Sequence, residues 1–385
     1  MAAVFVAIAT AFLSYNVSAS SSRLADTLAP HEEATRLEFC HPDSSATAER
    51  VFEGVEKRIE LSFVVPEAGI QGLRSIERVK LDGICRAAKC EIIHAEPDRC
   101  FDSYILSESS LFVFRDRIMI KTCGTTLPLN SVQLIIDAAA EHSFIPFEMI
   151  YSRSSFVFPN LQLYPHDSME NESLYLSDMH LPNVVNEESY ILGRVTGTYW
   201  IIHKKRFSTG IQVFKPEKRV MIDCIMTGLA PEVCASYWKD SSLSGESDHD
   251  EIMSRSVESL GENFRVVGKA FDPCGFSANI HGIDNTNYMT VHVTPEEAFS
   301  YASVEGVFNG GEFEKSFIQN VVDAFRPSKL LITVLSTGEE NLDPLFRGDV
   351  VDTVDPSAAY VREWRDLLTL SDGNMAASIL YTKEK

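Results

Sequence analysis

The sequence predicts an α+β fold made mostly of antiparallel strands. Three observations carry this expectation. Short apolar runs of strand length recur along the chain, and only two segments repeat apolar residues at helical spacing. The strands also come in runs, with helices interspersed rather than strictly alternating, which argues for a sandwich over a doubly wound parallel sheet.

In chain order, residues 59–65 alternate loosely between apolar and polar. Residues 111–114 and 118–121 are apolar strands flanking a charged Arg115-Asp116-Arg117 turn, the pattern of a hairpin. Residues 132–140 (VQLIIDAAA) have helical periodicity. Residues 199–203 and 288–293 (YMTVHV) read as strands, and 330–335 as a buried strand. Phe313, Phe317, Ile318, Val321, Val322 and Phe325 recur at helical spacing, and Pro327 ends that segment. Both helices are expected to lie as amphipathic covers on a sheet. The polar stretches 167–172 and 239–250 are expected as surface loops, and no repeat of solenoid type is visible.

Residues 1–48 are rich in Ala, Ser and acidic side chains and read as an extension outside the fold; residues 49–385 read as one domain. The apolar run from Ala2 is too short to span a bilayer and has no basic residue at its start. A weak targeting signal in residues 1–22 is the alternative to a cytoplasmic protein.

The formal net charge is −21, with 55 acidic against 34 basic residues. Such a surface repels phosphate backbones, so no nucleic-acid partner is expected, and a cationic small molecule suits it better. Eight cysteines, at 40, 85, 90, 100, 123, 224, 234 and 274, form no CxxC pair and no zinc spacing. They read as reduced thiols.

Four segments carry candidate chemistry. FEGVEKRIE places carboxylates at Glu53, Glu56 and Glu60, which would share a face on a helix; the plain alternative is a solvated charged face. YILSESSLFVF sets a Glu-Ser-Ser turn between apolar strands. In KTCGTT, Cys123 follows Lys121 at a strand end, where a thiol of lowered pKa could exchange a proton. FDPCGFS precedes His292 by fifteen residues from Ser277, and a lone strand histidine is either a core residue or a catalyst.

Taken in order, FEGVEK, LSESSLFV, KTCGTT, DPCGFS and HVTPE make the chain resemble the eukaryotic-type S-adenosylmethionine decarboxylase family. The similarity runs from about Val51 to Phe325, and more loosely to MAASILYTK. The resemblance implies a four-layer αββα sandwich, two antiparallel sheets face to face with helices outside. The active site is then expected between a sheet and its covering elements. It also implies decarboxylation of S-adenosylmethionine to S-adenosylmethioninamine for spermidine and spermine synthesis.

The cofactor implied is a pyruvoyl group made from Ser109, with no metal and no pyridoxal phosphate. The Ser109 hydroxyl would attack the Glu108 carbonyl, giving a β chain of residues 1–108 and an α chain of residues 109–385. By the same matching, Ser277 stabilises the processing intermediate and His292 takes the Ser109 Cα proton. Cys123 protonates the product carbanion, and Glu53 and Glu56 hold the substrate. Phe52 and Phe271 sandwich the adenine, Glu296 binds the ribose, and the Glu108 backbone adds a contact.

Two departures from the family follow. The Ser277–His292 spacing is one residue longer, to be absorbed by the turn around residues 281–287 or else to shift register. In the diamine-binding cluster of some members, Glu60, Glu305 and Asp223 match acidic positions. Arg219, however, replaces the key aspartate, with Arg58 close by, which implies activity without putrescine. The αβ unit is expected as a monomer or its homodimer, with no membrane partner. Competing readings are a regulatory paralogue of the same fold, a cysteine hydrolase pairing Cys123 with His292, and a plain binding protein.

Overall fold

The computed structural model describes residues 52–65, 71–210, 218–239, 245–283, 286–296, 299–309, 316–337 and 360–384. The readings of residues 1–48, including the targeting signal, and of Phe313 lie outside the described residues.

The first half of the chain forms β1 (Lys57–Val64), α1 (Arg78–Ala87), β2 (Ile92–Pro97), β3 (Asp102–Leu106), β4 (Ser109–Val113) and β5 (Arg117–Thr122). It continues with α2 (Val132–Ala140), β6 (Ile145–Ser154), α3 (Met169–Asp178), β7 (Val184–Gly193) and β8 (Tyr199–Phe207). These strands make one antiparallel sheet in the order β2-β3-β4-β5-β1-β6-β8-β7.

The second half forms β9 (Arg219–Thr227), α4 (Pro231–Ser236), α5 (Glu246–Arg255), β10 (Phe264–Ala270), β11 (Phe276–Gly282) and β12 (Tyr288–Thr294). Then come β13 (Tyr301–Asn309), α6 (Phe317–Phe325), β14 (Lys329–Thr337), β15 (Tyr360–Thr369) and β16 (Met375–Lys383). Their order is β10-β11-β12-β13-β9-β14-β16-β15. Each strand of the second sheet thus takes the place of the strand eight before it, so the two halves share one connectivity that the sequence did not display as a repeat.

The two helices predicted from periodicity, α2 and α6, take equivalent places between the fifth and sixth strands of their sheets. Helix α6 buries Phe317, Ile318, Val321, Val322 and Phe325, and stops where Arg326 turns left-handed ahead of Pro327. Helices α1 and α2 cover the outer face of the first sheet with Ile59, Leu61 and Ile120, while α6 covers the second with Ile222, Val304 and Ile332. Between the sheets, Phe112, Phe114 and Met119 of the first pack on Met221, Tyr288 and Val307 of the second. The four layers of the αββα sandwich follow.

Strand alternation decides what else enters the seam. In β1, Ile59 and Leu61 point to the helices, so Arg58 and Glu60 face the second sheet. The seam is therefore part apolar and part charged, and the site lies in its charged part.

Three expectations need correction. The 111–121 hairpin forms, but Arg117 belongs to β5 and not to the turn, buried with its guanidinium 3.7 Å from the Phe114 ring centroid. Residues 167–172 are not a loop: Ser168 caps α3 by accepting the Asn171 N–H, and Glu172 is buried against Arg153. Of residues 239–250, the last five open α5, and 240–244 lie outside the described residues.

Candidate active site

Ser109 opens β4 and is buried, with a backbone φ of +136°. A side-chain-bearing residue held there stores strain of roughly 1–3 kcal/mol. Its Oγ donates to Glu56 Oε1 at 2.7 Å and lies 3.0 Å from His292 Nε2. His292 Nδ1 is 2.6 Å from the same Glu56 oxygen. Ser303 donates to Glu56 Oε2, and the Lys121 ammonium is 3.1 Å from it.

Burial opposes the charge on Glu56, but His292, Lys121 and the Ser303 hydrogen bond outweigh it and hold the carboxyl well below the usual range. An ionised carboxylate only accepts, so the His292 proton sits on Nδ1, and Nε2 is left as an acceptor 3.0 Å from Ser109 Oγ, to which the hydroxyl can turn from Glu56. Ser110, 3.1 Å from Nε2, donates to Asn279 Oδ1 at 2.6 Å. The cluster takes Ser109 and Ser110 from the first sheet and His292, Asn279 and Ser303 from the second. It therefore lies between the two sheets, the second sheet being the element that covers the first.

The Glu108 carbonyl accepts the Cys123 N–H at 3.0 Å and the Cys123 S–H at 3.4 Å. Burial, then the nearby Glu56 and Glu108, push the Cys123 thiol well above its ordinary pKa. This reverses the lowered pKa expected from Lys121. The Lys121 ammonium is instead taken up by Glu56, Asp223 and Glu305.

Beside these groups is a cavity of about 200 Å³ lined by Phe52, Glu108, Cys123, Phe271, Ser277, His292 and Glu296. Glu296 Oε2 is buried without a hydrogen-bond partner among the described residues. Ser277 stands directly opposite His292 in the β11–β12 register, so the two side chains share a face of the sheet. Glu53 and Glu56 stand beside this cavity, not in its lining. Glu53 does not line the cavity, because its carboxylate accepts the Val55 and Phe158 N–H groups. Glu56 does not line it either and is buried behind Ser109 and His292. The segment carrying both needs glycine at 54, where a Cβ would stand 2.5 Å from the Tyr301 ring.

The sequence profile of the adenosylmethionine decarboxylase family matches residues 49–379. The chain belongs to that family. S-adenosylmethionine decarboxylase proenzyme 4 of Arabidopsis thaliana is 34% identical over 301 residues, 75% of this chain and 86% of that one. The proenzyme of Caenorhabditis elegans is 32% identical over 302 residues, 77% of this chain and 79% of that one. Among solved structures, the Trypanosoma brucei AdoMetDC-delta26 monomer superposes with a TM-score of 0.52 at 21% identity. It covers 71% of this chain and 99% of that one, and it supports the fold alone.

The decarboxylase family is one of carboxy-lyases, and this chain is a carboxy-lyase. Next to the Ser109 cluster its seam holds a buried ionic network. Arg58 contacts Glu60 at 2.7 Å and Glu305 at 2.9 Å, and Arg219 contacts Glu60 at 2.9 Å. Lys121 contacts Asp223 at 3.1 Å and Glu305 at 3.2 Å. Burial pushes the Asp223 carboxyl up to about 6, with Lys121 opposing and Glu305 and Glu56 adding to the rise. Sequence reasoning missed Ser303, Ser110 and Asn279, which only strand register brings to His292. Lys121 lay within a quoted motif but was credited to Cys123 alone.

Proposed function

We propose that the chain is a self-processing proenzyme whose Ser109 becomes a pyruvoyl group, and that it decarboxylates S-adenosylmethionine. The observation that carries this reading is the strained Ser109, with a base at its hydroxyl and two donors on the carbonyl before it. The Ser109 hydroxyl attacks the Glu108 carbonyl carbon while His292 Nε2 takes its proton, and Glu56 stabilises the imidazolium. The Cys123 N–H and S–H bind the oxygen that gains charge, with Ser277 adding its hydroxyl.

Protonation of the Ser109 nitrogen breaks the C–N bond and leaves an ester. His292 then removes the Ser109 Cα proton, and the Glu108 carboxylate departs as the ester C–O bond breaks. The resulting enamine takes up water, releases ammonia and leaves a ketone at position 109. Relief of the φ strain at Ser109 favours the first step.

That ketone supplies the electron sink for decarboxylation. The chain's own residues do the rest. Phe52 and Phe271 present aromatic faces to the adenine, and the buried, unpartnered Glu296 oxygen is suited to accept from ribose hydroxyls. Glu108 and Glu296 favour a sulfonium, with no Lys or Arg among the described cavity-lining residues. Cys123, held as a neutral thiol, donates the proton to the product. Glu53 and Glu56 act as positioning residues, Glu53 through its grip on two backbone amides and Glu56 through His292.

Intact mass tests the reading: two chains divided after Glu108, the second blocked at its amino end, with Ser109→Ala left whole. A whole wild-type chain that still releases carbon dioxide overturns it. A cysteine hydrolase is disfavoured because His292 Nε2 addresses Ser109, while Cys123 addresses the Glu108 carbonyl. For the diamine cluster, Arg58 and Arg219 already carry positive charge to Glu60 and Glu305, so we read the enzyme as active without putrescine.

A further inference from the structure

A second cavity, of about 460 Å³, opens into the seam and shares no lining residue with the Ser109 cavity. Its volume lies in the range of small-molecule sites. Val55, Phe156, Ile225, Phe299 and Leu331 supply apolar walls. Its electrostatics are opposite to those of the catalytic cavity. Glu108 and Glu296 line the one, whereas Lys329 is the only charged residue among the described residues lining the other. In a chain of net charge −21 that inversion is local and specific.

The Lys329 ammonium donates to a neutral partner, Thr198 Oγ1, at 2.5 Å. Half-burial pushes its pKa down despite the attraction of Glu363. A cationic sulfonium finds no carboxylate among the described lining residues. An anion finds Lys329, Thr198 and an apolar bed.

The two cavities share structural walls. Phe52 lines the catalytic cavity and Val55 the second one, and between them Glu53 accepts the N–H groups of Val55 and Phe158. The Phe299 ring meets Phe158 edge to face at 5.2 Å, and its N–H donates to the carbonyl of Glu296 at 3.1 Å. A molecule seated against Val55 and Phe299 therefore presses on the segments that carry Phe52 and Glu296.

We infer that this second cavity binds a small amphipathic anion, an apolar body with one acidic head on Lys329, and that its occupancy alters substrate binding next door. Binding can be read without turnover, so this inference stands or falls apart from the decarboxylation chemistry. The probe is 8-anilinonaphthalene-1-sulfonate, followed by fluorescence on the purified enzyme. Saturable binding is expected, displaced by 2-naphthoate but not by 2-naphthylmethylammonium. It should weaken by about tenfold or more in Lys329→Met, the loss of one charge-assisted bond. Ile225→Trp, which fills the cavity without touching the charge, should also weaken it, whereas Phe271→Ala should not. Affinity unchanged in both Lys329→Met and Ile225→Trp, or lost in Phe271→Ala, overturns the site. A KM for S-adenosylmethionine unmoved by saturating probe overturns the coupling.

Discussion

Ser109 Oγ lies 3.0 Å from His292 Nε2 across a seam between two sheets that share no strand. A hydroxyl from the first half of the chain thus meets its base only when the halves dock. Processing is therefore expected to follow folding, not to accompany synthesis.

Removing the base while keeping the fold should separate the two events. His292→Ala leaves Ser110 and Asn279 paired and should slow cleavage by about 10²–10⁴-fold. Gel analysis over time gives the rate. Cleavage at the wild-type rate would take His292 out of the reaction.

Glu56 acts through His292, so its conservative variant should tell position from fold. In Glu56→Gln the His292 tautomer is no longer fixed, and cleavage should slow by about 10²-fold or more. Glu56→Asp should recover part of the rate. The pH profile of cleavage should shift in Glu56→Gln, which a purely structural role would not move.

The arginine-held network predicts two outcomes together. Wild-type turnover should be unchanged by added putrescine, and several-fold stimulation would count against it. Arg58→Leu leaves Glu305 and Glu60 short of a buried partner and should cost about 3–5 kcal/mol, read as a lower urea midpoint.

Acid should unfold the protein through carboxylates held ionised in the interior. Burial works against the charge of Glu172, but hydrogen bonds from His166 and Arg153 bring its carboxyl down to about 2. Its folded pKa lies below the unfolded value, so its contribution is complete above about 4.5 and is lost as pH falls toward 2. That contribution is on the order of 3 kcal/mol. Asp223, raised to about 6, works in the opposite sense: the folded state takes its proton first as pH drops below 6. The decline should therefore begin below about pH 4.5. Urea midpoints against pH measure it, and Glu172→Gln should flatten the slope in that window.

By itself the sequence determined the parts whose signal is local. The helical spacing from Phe317 to Phe325 and across residues 132–140 marked the two covering helices, because an amphipathic face repeats every few residues. The motifs around Ser109, Cys123, Ser277 and His292 marked the family, since such residue combinations at those intervals are rare. The burial of Glu56, Glu60 and Arg117 was not legible, because a charge run reads as a solvated face until a second sheet covers it. Nor was the thiol state of Cys123, which depends on distant carboxylates and not on its neighbour Lys121. Only tertiary structure paired β4 with β12 across the seam, matched the connectivity of the two halves, and gave one flank an acidic cavity and another a lysine. Those are contacts between residues more than a hundred positions apart, and side-chain register, not local propensity, decides them.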